Sequence, residues 1–119
     1  MEKIKNTLSL LVLGGTGFIG RYIINKAVSK GWDVTSASLS LPDKKKRIKK
    51  VKYYKVDLKN FSSVKNKLNK PFTYIINLAG YINHSVSKKD YNKIMKEHFT
   101  SVKNLVKVLP RKNLKKFVQ

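Results

Sequence analysis

Cysteine is missing from this 119-residue chain, which excludes a disulfide framework and any metal held by thiolates. Acids are scarce: six Asp and Glu stand against 27 Lys and Arg, for a formal net charge of +21. The acids (Glu2, Asp33, Asp43, Asp57, Asp90, Glu97) and the two histidines, His84 and His98, are scattered without H-x-x-x-H or comparable ligand spacing. A metalloenzyme is therefore not expected. Arginine is scarce as well, present only at Arg21, Arg47 and Arg111. No apolar run approaches the roughly 20 residues that a membrane helix needs. Lys3 and Lys5 precede an apolar run at 8–13, the layout of a secretory leader. The run is short, however, and passes into a glycine turn with no small-residue cleavage site. We expect a cytoplasmic chain of one domain, large enough to bury a core.

The positive charge raises the possibility of nucleic-acid binding. Base readout favours the planar fork of arginine, whereas almost all the cations here are lysines spread along the whole chain. No helix-turn-helix, zinc finger or RNP motif accompanies them. A lysine-rich solvated surface with incidental phosphate affinity accounts for the charge.

Two hydrophobic periods alternate along the chain. Residues 7–13 form a continuous apolar strand of the kind buried on both sheet faces. Phe18, Ile19, Tyr22, Ile23, Ala27 and Val28 then recur at helical spacing, and Gly31 ends that helix. A second strand is expected at 33–38, a polar lysine-rich loop with Pro42 at 39–50, and a third strand at 51–56. A short helix follows at 60–69, then a strand at 74–78. An amphipathic helix covers 90–109, with Ile94, His98, Val102, Leu105 and Leu109 in one stripe, and a strand starts at 116–119. Strands and helices in alternation imply right-handed crossovers and an α/β, doubly wound parallel sheet of the Rossmann kind.

Within that order the segment "LVLGGTGFIG", residues 11–20, lies where a strand turns into a helix. Gly15, Gly17 and Gly20 satisfy G-x-G-x-x-G, and Gly14, Gly17 and Gly20 are spaced every third residue. Early glycines permit a tight turn, Gly17 lets a pyrophosphate approach backbone N–H groups, and Gly20 allows close helix–strand packing. The helix that starts near Phe18 directs its positive end at the phosphates. We assign a dinucleotide cradle to Gly14, Gly15, Thr16, Gly17, Phe18, Ile19 and Gly20. An NAD site places an acid at the end of the second strand to hold the ribose 2′-OH. Ser38 stands there instead, and Lys44, Lys45, Lys46 and Arg47 follow. The cofactor expected is NADP or NAD, with a lean towards NADP.

"GGTGFIG", "KVDLKN" and "YIINLAGY" together resemble the cofactor half of an extended short-chain dehydrogenase/reductase, the NAD(P)-dependent epimerase/dehydratase group. The resemblance covers residues 8–119. It implies that Asp57 and Leu58 contact the adenine, and that the turn at Asn77, Leu78, Ala79 and Gly80 borders the cofactor. His98 takes the place of an asparagine common in that family's long helix. The resemblance also calls for a serine and a Tyr-x-x-x-Lys beyond the fifth strand, with tyrosine as acid/base, and for a substrate lobe. We expect the chain to be truncated before these, so that no catalytic residue is assigned. A Tyr-x-x-x-Lys at Tyr22–Lys26 falls on the first helix and is read as chance.

Three functions stand as alternatives. The chain is the NAD(P)-binding portion of a sugar-nucleotide epimerase, dehydratase or reductase, inactive alone; or a stand-alone dinucleotide-binding or regulatory module; or a basic nucleic-acid-binding protein. In the usual strand order, loss of the later strands would leave the fourth strand, an apolar run, as an edge. That predicts self-association through the sheet edge.

Overall fold

The computed structural model describes residues 7–14, 16–78, 88–110 and 114–118, leaving aside the side chains of 88–91, 94, 95, 97 and 98. The sheet-forming segments are β1 (Ser9–Leu13), β2 (Asp33–Ser38), β3 (Val51–Lys55), β4 (Tyr74–Asn77) and β5 (Lys116–Val118). Helices α1 (Phe18–Ser29), α2 (Phe61–Leu68) and α3 (Lys88–Val108) alternate with them, and a 3-10 turn, Lys44–Lys46, interrupts the loop before β3. All strand pairs are parallel, in the order β3-β2-β1-β4-β5. This is the doubly wound arrangement, with β1 at its centre.

Side-chain alternation along the strands sorts the core into two layers. On one face Leu10 and Val12 of β1 and Val34 of β2 pack against Ile24 and Ala27 of α1. On the other, Leu11, Leu13, Ala37 and Ile75 meet Val64 and Leu68 of α2 and Leu105 and Leu109 at the end of α3. Residues 10–13 are at most 1% exposed, which explains why β1 shows no polar alternation. At the start of β1, Ser9 and Thr73 hydrogen-bond reciprocally: the Ser9 amide donates to Thr73 Oγ1 (3.1 Å) and the Thr73 amide donates to Ser9 Oγ (2.9 Å). The α1 helix ends in a Schellman motif. Gly31, at φ +80°, donates to Val28 O and Trp32 donates to Ala27 O, the pairing that a left-handed residue after a helix makes possible.

Two expectations are corrected. Helical spacing puts Phe18, Ile19 and Tyr22 on the packed stripe of the first helix, yet they are 90%, 63% and 66% exposed. Gly20, Ile24 and Ala27 form the buried face instead. The first turn of α1 begins directly past the glycine turn, at the carboxyl edge of the sheet. The second correction concerns β4, which is not an edge. Lys116, Phe117 and Val118 pair with Tyr74, Ile75 and Ile76, the Lys115 amide donates to Thr73 O at 2.8 Å, and Phe117 packs on the larger core cluster. That anchor lets a three-residue strand cover most of β4.

Ser36 Oγ is buried without a hydrogen-bond partner, a loss of about 1–3 kcal/mol relative to a satisfied hydroxyl. Equilibrium denaturation of three variants tests this packing. Ile24→Ala is expected to cost about 3 kcal/mol, Phe18→Ala less than about 0.5, and Ser36→Ala to stabilise by about 1. Equal costs for Ile24→Ala and Phe18→Ala would refute the assignment of the helix faces.

Candidate dinucleotide site

The order 3-2-1-4-5 reverses direction at β1: the chain leaves β1 for β2 on one side and later returns to β4 on the other. A crevice opens at such a switch point beyond the carboxyl ends of the strands. Two backbone bonds hold its rim. Gly14 N–H donates to Ala37 O (2.9 Å), and Leu78 N–H donates to Leu13 O (2.8 Å). The glycine turn is thus tied to β2, while the segment after β4 is tied to β1.

Gly14 has φ +73°, so the turn itself requires glycine there. Gly17 differs. It is the N-cap of α1 at φ −81°, ψ 179°, extended backbone open to any residue, and a Cβ added to it would meet nothing within 4 Å. Nothing within the described protein demands a glycine at 17. Its missing side chain keeps open the approach to the α1 amides. No side chain caps these amides and no acid lies in the first turn, so the positive end of the helix is left for an external anion. The site therefore fits a pyrophosphate. Beside it, Thr16, Phe18, Arg21, Tyr22 and Asn25 line an open depression of about 450 Å³. Tyr22 and Lys26, the Tyr-x-x-x-Lys pair noted in the sequence, both lie on α1 and are both exposed.

The remaining candidates gather around the same edge. Ser38 ends β2, half-buried, its hydroxyl donating to Ser40 O at 2.7 Å. Asp57, just after β3, accepts the Lys59 amide on Oδ1 (3.0 Å), and its own amide donates to Ser63 Oγ (3.3 Å). Asn60 caps α2 by accepting the Ser63 amide (3.1 Å). Leu58 turns inward onto the core cluster, so its side chain acts as packing. Leu78 is exposed and Asn77 buried. Gly15, Ala79 and Gly80, and the side chain of His98, lie outside the described residues. Among the described residues no group of three His, Asp or Glu could hold a metal.

One contributor was missed in the sequence. Asn104 of α3 is buried, and its Nδ2 donates to Leu58 O at 2.9 Å, fixing the turn that carries Asp57. The only signal was an amide beside Leu105 on an apolar stripe. Asn104→Leu keeps the branched shape of the side chain and removes the donor. We expect a loss of about 1–2 kcal/mol in a denaturant melt, and an unchanged melt would show that the bond contributes nothing.

Similarity to known proteins agrees with this geometry. Residues 10–119 match the model of the NAD dependent epimerase/dehydratase family. Among solved structures, the UDP-glucose 4-epimerase of Bifidobacterium longum in complex with NAD+ and UDP is 26% identical, with a TM-score of 0.75 over 92% of this chain and 35% of that one. The NAD complex of the Thermus thermophilus UDP-glucose 4-epimerase is 25% identical, with a TM-score of 0.72 over 85% and 33%. A short-chain dehydrogenase of Leptospira borgpetersenii with bound NAD+, 18% identical, shares the fold at a TM-score of 0.68 over 91% and 49%. This chain therefore spans about a third of the epimerases' length. No curated protein matches it. With a family match across nearly its whole length, the chain belongs to the NAD dependent epimerase/dehydratase family.

Proposed function

We propose that this chain is the NAD(P)-binding portion of a sugar-nucleotide epimerase, dehydratase or reductase. The observation that carries the reading is Gly17: an unstrained glycine in open space at an uncapped helix N-terminus. Gly14, Thr16, Gly17, Phe18, Ile19 and Gly20 would hold the pyrophosphate, chiefly through backbone N–H groups. Ser38, Asp57 and Leu58 would border the adenosine, and Leu78 with the following Ala79 and Gly80 would flank the remainder. When bound, the nicotinamide supplies hydride acceptance and return, while the protein's part is binding and orientation. The sugar-nucleotide class is supported by the UDP complex of the Bifidobacterium longum epimerase. It is a proposal for the whole protein, of which this chain covers the cofactor-binding portion.

NADP is the cofactor we favour. Ser38 leaves no carboxylate to repel a 2′-phosphate, and the exposed Lys44, Lys45 and Lys46 lie in the loop beyond it. Self-association belongs to the same reading. Among the described residues β5 has β4 as its one neighbour, so its outer edge presents unpaired backbone groups.

Calorimetric titration of the chain with NADPH and NADH tests the cradle. Saturable binding is expected, lost in Gly17→Val, while the variant's folding free energy changes by no more than about 1 kcal/mol. Undiminished binding by a folded Gly17→Val would remove the proposal's main support. Sedimentation velocity addresses assembly: a concentration-dependent rise in mass is expected, and a strictly monomeric chain at high concentration would exclude association through the edge.

A further inference from the structure

The register of the edge strand brings one cation to the place where cofactor choice is made. Ser38 is paired across the parallel ladder with Lys55, the last residue of β3. The Val56 amide donates to Ser38 O at 2.9 Å, closing the ladder there. Neighbouring strands lie about 4.8 Å apart, so the two side chains leave the sheet side by side if they share a face. They do. Val51 packs in the α1-side cluster, and the Tyr53 hydroxyl on that side accepts the Ile48 amide at 2.9 Å. Tyr54 and Val56 belong to the opposite cluster. Alternation then puts Lys55 on the α1 face, as it puts Val34, Ser36 and Ser38.

The neighbouring groups narrow the choice further. The Ser38 hydroxyl already donates to Ser40 O. Arg47, by chemistry the better phosphate ligand, is turned back: its Nε donates to Pro42 O at 3.0 Å and its guanidinium lies 6.0 Å from the Tyr53 ring centroid. Asp57, two residues past Lys55, directs Oδ1 to the Lys59 amide. Lys55 is exposed on a flexible four-carbon stem. It stands beside the strand end where an NAD site would hold an acid.

Resting on the cofactor reading above, we infer that Lys55 is a specificity-determining residue that engages the 2′-phosphate of NADP, through the juxtaposition of Ser38 and Lys55 at the carboxyl ends of β2 and β3. An edge-strand lysine also guards against strand addition, and a strongly basic chain attracts any anion. Lys52 controls for both. It is exposed on the same edge strand, carries the same charge, and points to the opposite face.

The test is calorimetric titration of the full 119-residue chain, with Lys55→Gln and Lys52→Gln beside the parent, each with NADPH and NADH at one fixed salt concentration. Lys55→Gln is expected to weaken NADPH binding about tenfold, the scale of one charge-assisted hydrogen bond, with NADH affinity held within about twofold. Lys52→Gln should leave both unchanged. Lys55→Glu should reverse the preference towards NADH. Equal losses in Lys52→Gln and Lys55→Gln, or NADPH affinity untouched by Lys55→Gln, would overturn the assignment of Lys55 and leave the cradle standing. If the folded parent binds neither dinucleotide, the cradle reading and this inference fall together.

Discussion

The structure depends on the burial of β1 between two parallel neighbours. Leu10 to Leu13 lose their solvent contact on both faces, and their backbone groups are shared between β2 and β4. Each neighbour can be reached only by a crossover, because parallel strands cannot be joined by a tight turn. One crossover leaves β1 for β2, and a later one returns from β3 to β4 on the other side of β1, which opens a crevice at the carboxyl end of β1. The glycine turn occupies that opening. The uncapped helix terminus beside two strand ends is thus a consequence of how the central strand is buried.

Charge is distributed in keeping with this geometry. A chain of net charge +21 creates a field attractive to any phosphate, but a diffuse field steers without selecting. Selection needs groups whose position is fixed by backbone pairing. At the carboxyl edge these are the α1 amides and the ends of β2 and β3. The 3-10 turn at Lys44–Lys46 holds three cations on a loop, whereas β3 holds its lysines on a paired strand.

Much of this was readable from the residues, and the boundaries of the readable part have physical causes. β1 was clear because burial on both faces leaves an uninterrupted apolar run. The Gly31 stop and the turn at Gly14 were clear because few residues other than glycine tolerate a positive φ. The packed face of α1 was misjudged because Phe18, Ile19 and Tyr22 share helical spacing with the buried residues; periodicity identifies a stripe but not whether a sheet lies under it. The pairing of β5 was missed since three residues carry little pattern, and Phe117 gains its anchor only from distant partners. Asn104 and the Ser38–Lys55 register are long-range facts of the same kind. They arise from the crossovers, which no local window contains.

The reciprocal Ser9–Thr73 bonds have a consequence for how the molecule assembles. Ser9 meets Asp33 across a separation of 24 residues, but it meets Thr73 only across 64. Closing the longer loop costs about 0.9 kcal/mol more in chain entropy, a small thermodynamic difference with a larger kinetic meaning. During synthesis β1 can pair with β2 as soon as the first crossover has emerged, and that unit can collapse around Ile24. The second side of β1 then stays unpaired until the segment at 73–77 emerges from the ribosome. For that interval the most apolar strand of the protein presents a bare edge to its surroundings, and the two hydroxyls at its base are the latch that ends the exposure.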